Sequence, residues 1–334
     1  MTTLARLPAS PIALILVAEA PLAGVDLRHG RFHRVRRGVH ADAQRWAELR
    51  PWERYRARVH AYALLHPEAV FAYESAAVLL GLPIFGEPRD IHVLSTPGGK
   101  SRRFGDVVVH GISAEREIVT ISHVRATSPA RTAADLMRVL PPAFAVAVGD
   151  AVLSPAQGGT TSIDELSAIA RACAGMRGAR QLELLLPLLD PRSESAGESV
   201  SRVVVLWCGF ETPELQVEFV TDGHKDRVDF WWKRILAMGE SDGYEKYRGS
   251  TAEETIARTR AEKQRELRLY RHCSTLGRWD WAATLGVTPL EEQLDRMGVP
   301  RVGPRREALL ATVGTSPRSL PASKPIAPRE THRR

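Results

Sequence analysis

Residues 227–232 (RVDFWW) and 235–240 (ILAMGE), separated by Lys233-Arg234, decide how this chain is read. Both are short runs rich in β-branched, aromatic and aliphatic residues, the composition of buried strands. Joined by a two-residue loop, they form a hairpin with Trp232 opposite Ile235 and Asp229 opposite Met238. Side chains alternate faces along a strand, so Glu240 shares a face with Met238 and therefore with Asp229. The two carboxylates are then diagonal neighbours roughly 7–8 Å apart, within joint reach of one ion. A loop one residue longer or shorter sends Glu240 to the opposite face.

Working outward, residues 215–220 (LQVEFV) predict another strand, and Asp222-Gly223 a hairpin turn. Closing that hairpin at Val220 and Arg227 sets Glu218 opposite Asp229. Asp242 continues the parity of Glu240, just ahead of Gly243. Upstream, Ser193 or Ser195 caps a helix through Glu198 and Arg202 to Cys208, with Gly209 as its stop. Downstream, Thr251 and Glu254 have capping-box spacing for a long helix with Ile256, Leu267 and Tyr270 as apolar positions, ending near His272. A last strand is expected over 278–282. The order is helix, three-strand meander, helix, strand.

Acids gathered on apolar strands repel one another and resist desolvation. A divalent cation relieves both effects. Mg²⁺ favours one or two carboxylates completed by water and phosphate oxygens, the arrangement for phosphodiester hydrolysis. Lys246 is the nearest lysine in sequence to orient water or stabilise developing charge, and Lys263 is second. The plain alternative leaves these acids solvated at strand ends, or paired with Arg227, Arg234 and Lys246. His224 and His272 read as surface or capping groups, and Trp231 and Trp232 as core.

The whole chain has 334 residues, 44% hydrophobic and 25% charged, which suits a globular protein of about two domains. Its net charge of +7 favours a polyanionic partner, weakly for this length. The three cysteines, Cys173, Cys208 and Cys273, lack CxxC spacing, which excludes a disulfide framework and suits a reducing cytoplasm. No stretch approaches the roughly 20 apolar residues of a membrane span. The apolar run 12–18 reads as a short strand or helix rather than a signal peptide.

The first part of the chain is mixed helix and short strand. Residues 30–40 (GRFHRVRRGVH) predict an exposed basic strand or hairpin, with Arg34, Arg36 and Arg37 able to reach phosphates. A protected basic edge strand is the equal alternative. Helices over 52–65 and 70–82 resemble a helix-turn-helix or a plain helical hairpin. Residues 90–95 (DIHVLS) and 106–111 (DVVVHG) predict strands around a glycine-rich turn carrying Lys100, Arg102 and Arg103, without P-loop spacing. Ser128-Pro129 opens a helix. The domain reading is 1–153 as a regulatory module, 154–192 as linker and connecting helices, 193–302 as the carboxylate-bearing unit, and 303–334 as a disordered basic tail.

Several motifs carry a family resemblance. SAGESVSR at 195–202, QVEF at 216–219, RVDF at 227–230, GESDGYEKY at 239–247 and EKQRE at 262–266 resemble the very-short-patch-repair-like branch of the PD-(D/E)xK nucleases. That resemblance implies an αβββαβ restriction-endonuclease-like core. It puts Asp229 and Glu240 on the metal-binding strands, Glu198 on the preceding helix, and Mg²⁺ or Mn²⁺ as the cofactor of an endodeoxyribonuclease. RVRRGVHA at 34–41, ESAAVLLGLP at 74–83, IHVLSTPGG at 91–99 and TSPARTAADL at 127–136 resemble AbiEi-type antitoxins and transcriptional regulators. They imply a DNA-associated cytoplasmic protein with a cognate toxin as partner. Two features depart from those patterns: Met1–Leu27 is short and proline-broken, and Asp242 stands where the nucleases carry lysine. The alternative function is a non-catalytic regulator whose nuclease fold binds nucleic acid or a partner.

Overall fold

The computed structural model describes residues 7–27, 30–112, 116–242 and 252–321. The chain begins β1 (Ile15–Leu16), β2 (Phe32–Arg36), β3 (Val39–Asp42), α1 (Ala43–Glu48), α2 (Pro51–Leu65), β4 (Val70–Phe71) and α3 (Tyr73–Leu80). It continues through β5 (Ile91–Pro97), β6 (Arg102–Phe104), β7 (Val107–Ile112), β8 (Ile118–Ile121), β9 (Val124–Thr127), α4 (Pro129–Met137) and α5 (Pro142–Leu153). Next come α6 (Ile163–Ala172), α7 (Ala179–Leu185), α8 (Ala196–Trp207), β10 (Glu214–Thr221), β11 (His224–Trp232) and β12 (Ala237–Asp242). The last elements are α9 (Ala252–Leu269), β13 (Thr275–Asp280), α10 (Trp281–Gly286), α11 (Thr288–Arg296) and α12 (Glu307–Leu310). The class is α+β with mixed sheets, as the sequence predicts, and the helix, three strands, helix, strand order stands in α8 to β13.

Among the described residues, three sheets carry the strands. They run β1-β3-β2, then β6-β7-β5-β4-β9-β8, and finally β10-β11-β12-β13. In the last, β12 and β13 pair in parallel across α9, while the other neighbours are antiparallel. The expected second helix over 70–82 is divided instead. Val70 and Phe71 are drawn into the six-stranded sheet against β9 and β5, and only from Tyr73 does the chain turn helical. Sheet pairing thereby removes the helix-turn-helix geometry. Ser128 caps α4 through its side chain, as its sequence position predicts, and Ser162 caps α6 in the same way.

One hydrophobic core runs through most of the molecule. It joins Ala77 and Phe85 to α4 and α5, passes into Val203 and Trp207 of α8, and reaches Phe230 and Trp232 of β11. Leu310 and Val313 also enter it. Residues 304–321, expected to belong to a disordered tail, are therefore packed against the core, and the rest of that expected tail lies outside the described residues. Two buried leucine and valine side chains and a one-turn helix fix the packed segment to α8. Gly209 lets this happen: it sits at φ +84°, and a Cβ there would meet the Gly303 carbonyl oxygen at 2.3 Å. Among the described residues no helix is long and apolar enough to cross a membrane.

Candidate functional site

Two turns set the register of the carboxylate-bearing sheet. Asp222 and Gly223 have φ of 51° and 77°, a two-residue turn with both centres left-handed, so Thr221 pairs with His224. This corrects the longer hairpin expected from the sequence. Glu218 stands opposite Arg227, not Asp229, and it forms an exposed ion pair with Lys225 at 2.6 Å. Residue 216, a glutamine, aligns with Asp229 instead.

The second connection is also longer than expected. Lys233–Ile235 form a 3₁₀ turn and Leu236 adopts φ 51°, so Trp232 pairs with Ala237 rather than Ile235. Two extra residues preserve parity. Extending the Phe230–Gly239 pairing by one step brings Asp229 directly opposite Glu240 instead of diagonal to it.

Asp229 does not lie in an ordinary ladder. Its Oδ2 accepts the Ser241 backbone N–H at 2.9 Å, so its carboxylate takes the place of a strand carbonyl where β11 and β12 part. On its other side the Gln216 amide donates to Asp229 Oδ1 at 3.3 Å and to Glu198 Oε2 at 2.8 Å. Gln216 sits at φ 56°, a strained position for a side-chain-bearing residue, which aims its amide between the two acids.

Glu198 is held by the start of α8. Its carboxylate accepts from the Ser195 hydroxyl and the Glu194 N–H, both at 2.8 Å, while Ser195 Oγ accepts the Glu198 N–H. The capped start of α8 thus builds part of the site. Burial pushes the Asp229 carboxyl up to about 7, with the nearby Glu198 and then Glu240 charges adding to the rise. Burial raises Glu198 as well. This half of the site carries excess negative charge.

Glu240 has the opposite surroundings. Buried to 5% exposure, it pairs through Oε1 with Arg265 of α9 and through Oε2 with Arg278 of β13 at 2.8 Å. Arg265 also donates to the Arg227 carbonyl at 2.6 Å, so its guanidinium spans from β12 to β11. Glu262 accepts from both arginines, at 3.2 Å from Arg265. Asp242, half-buried at the end of β12, aligns with Asp280 and adds its field to Arg278. Lys246 lies outside the described residues, and Lys263 is exposed. Among the described residues, no group of three or more His, Cys, Asp and Glu side chains is arranged to hold a metal ion.

The two basic segments of the first half are brought together. Arg36 forms a bidentate pair with Asp106 at 3.2 and 2.8 Å, and Arg58 reaches the same carboxylate at 3.3 Å. Asp106 lies just past β6, so β2 is pinned beside the β6–β7 turn. Arg103 is likewise committed, to Asp90 at 3.0 and 2.7 Å. Arg34, Arg37, Lys100 and Arg102 are exposed around these pairs, Arg102 with its guanidinium 5.3 Å from the Phe104 ring centroid.

Sequence reasoning missed Gln216, Arg265 and Arg278 as members of the site. The available signals were a glutamine among strand residues, the Glu262/Arg265 spacing on one helix face, and a lone arginine in an apolar strand. The tryptophans are core, as expected, whereas His272 is not the surface or capping group expected: it is half-buried against the Phe219 ring. Trp231 and Trp232 are buried, and His272 Nε2 is hydrogen-bonded to Thr221 Oγ1 at 2.7 Å.

Fold and site together define an α+β protein whose last sheet carries a split carboxylate centre, one half unneutralised and one half clamped by arginine. No family model matches the chain. It is similar to two proteins of Mycobacterium tuberculosis, "Uncharacterized protein MT2308" of strain CDC 1551 / Oshkosh and "Uncharacterized protein Rv2248" of strain ATCC 25618 / H37Rv. Each is 35% identical over 180 residues, covering 53% of this chain and 64% of the relative. The chain therefore spans less than two thirds of the length of the curated relatives it matches.

Proposed function

We propose that this chain is a DNA-associated protein of antitoxin or regulator type, whose αβββαβ unit binds nucleic acid or a partner without cutting it. One observation carries the choice: Arg265 and Arg278 already neutralise Glu240, and Arg265 also holds the Arg227 carbonyl of the neighbouring strand. A guanidinium held by two carboxylates and a carbonyl is not displaced cheaply, because removing it leaves a buried charge unpaired. DNA association is supported by the net charge of +7 and by the exposed Arg34 and Arg37 at β2 and Lys100 and Arg102 at β6. Asp106 and Asp90 hold their neighbours Arg36 and Arg103 as positioning groups rather than phosphate contacts.

Metal-assisted phosphodiester hydrolysis is the second reading, and the carboxyl of Asp229 at about 7 favours it. In that reading Asp229 and Glu240 hold Mg²⁺ or Mn²⁺, with Glu198 in support and Asp242 beside them. The ion would polarise the phosphodiester and activate water. Incubating the full chain with supercoiled plasmid and Mg²⁺ or Mn²⁺ separates the two. The regulator reading expects steeply salt-dependent binding and no nicking; nicking abolished by Asp229→Ala establishes the hydrolytic one. Absence of binding to any nucleic acid at low salt overturns both.

A further inference from the structure

The segment that follows α12 returns to the first half of the molecule. Ser319 bridges Pro88 in antiparallel fashion, the Arg89 N–H donates to the Arg318 carbonyl at 2.8 Å, and the Leu320 N–H donates to the Glu87 carbonyl at 2.7 Å. Ser319 Oγ also reaches the Phe85 carbonyl at 2.8 Å. Residues 316–320 thus form a strap across the loop between α3 and β5. The strap delivers one half-buried side chain into the first half. Arg318 grips Glu74 with two nitrogens, and its Nη2 lies 3.0 Å from His92 Nε2.

His92 is in turn linked through Nδ1 to His110 Nε2 at 2.9 Å. Glu74 Oε2 waits 3.4 Å from His92 Nε2, on the same side as the arginine. Tyr73, at φ 50°, packs its ring 5.4 Å from His92 and 4.5 Å from His110. A left-handed aromatic residue is a local strain that packing must hold in place. Burial lowers His92 to about 4 and depresses His110, so both rings are neutral near pH 7 and each carries a single N–H.

Donor and acceptor roles follow from arginine chemistry. A guanidinium only donates, so His92 Nε2 facing Arg318 must be bare. The His92 proton is then on Nδ1 and is donated to His110 Nε2. The His110 proton must in turn be on Nδ1, across the ring. Without Arg318, the Glu74 carboxylate is the remaining partner for Nε2, and a carboxylate only accepts. The proton of each ring then moves to its other nitrogen, and His110 Nδ1 becomes a bare acceptor.

We propose that the 316–320 strap is a conformational device in which Arg318 sets the proton order of the Glu74–His92–His110 chain, so that strap release turns the half-buried His110 from a donor into an acceptor. The strap leaves α12, which is packed on α8, so the device links the carboxylate-bearing unit to the sheet of the first half. A phosphate or carbonyl oxygen suits His110 with the strap docked, and a cation or N–H donor suits it with the strap released.

Selective ¹⁵N-histidine labelling of the full chain reads this directly. Long-range ¹H–¹⁵N spectra at pH 7.5, with His92→Gln and His110→Gln for assignment, give each tautomer. Both His92 and His110 are expected as Nδ1–H in the unaltered protein; His110 found as Nε2–H overturns the proposal, whatever the variants do. Arg318→Met, which has no donor, is expected to invert both tautomers, whereas Glu74→Gln, with Arg318 retained, is expected to leave them in place. An Arg318→Met protein that folds and keeps His110 as Nδ1–H also overturns it.

Discussion

Asp229 and Glu240 are opposed carboxylates on adjacent strands, yet their surroundings differ completely. Asp229 is aimed toward α8, where it meets a second acid, one amide and one backbone N–H. Glu240 is aimed toward α9, where two guanidinium groups enclose it. The same residue chemistry therefore yields a carboxyl that holds its proton up to about pH 7 in one case and a committed ion pair in the other. What separates them is the side of the sheet each one faces, and so the helix it meets.

The largest expected effect comes from the clamped half. Glu240→Ala leaves Arg265 and Arg278 with only the more exposed Glu262 as a shared acid, and a loss of about 3 kcal/mol is expected in urea denaturation. Should the loss fall within the range of a surface pair, the clamp is not a structural element and the contrast breaks.

A smaller, pH-dependent effect belongs to Asp229. Its folded value of about 7 lies above the ordinary 3.8, so the folded state binds the proton more tightly than the unfolded chain. The associated stability is complete below about pH 4 and is lost as pH rises toward 7. Asp229→Asn keeps an acceptor for Ser241 and removes the titration. It is expected to gain on the order of 2 kcal/mol over the unaltered protein at pH 8, and to shrink the slope between pH 4 and 7. Glu198, also raised, leaves a residual slope. An unchanged pH profile places Asp229 in solvent.

On the basic side the readout is salt dependence. Replacing Arg34, Arg37, Lys100 and Arg102 together by alanine is expected to weaken DNA binding without loss of fold. Each phosphate contact removed lowers the slope of log affinity against log salt by about 0.9. An unaltered slope assigns DNA contact to another surface. The smallest effect is expected from Glu218→Gln. Its exposed pairing with Lys225 makes a change above about 0.5 kcal/mol unexpected in the same denaturation assay.

Much of the fold was legible because it rests on local rules. Serine caps, the Asp222-Gly223 turn and the alternation of RVDFWW each act over a few residues, and the αβββαβ order follows from them. The failures share a cause as well. Val70-Phe71 looks helical until a sheet offers it partners on both sides. The segment after Gly303 has little apolar content, yet Leu310 and Val313 suffice once α8 supplies a surface for them. The Lys233-Arg234 loop was read too short because its left-handed Leu236 has no sequence signature of the kind glycine provides.

By itself the sequence determined that Asp229 and Glu240 belong to one level of neighbouring strands. Register fixes that level, and an even number of added loop residues preserves it. The shared face expected from alternation is not kept, because Asp229 shares Gln216 with Glu198 of α8 while Glu240 meets Arg265 of α9 on the other side of the sheet. Only the tertiary structure decided their charge states. Arg265 and Arg278 reach Glu240 from a helix and a strand that follow it in the chain, while Glu198 and Gln216 reach Asp229 from elements that precede it. Long side chains are matched by distance in space, and electrostatic energy depends on that distance and on burial, neither of which sequence spacing encodes.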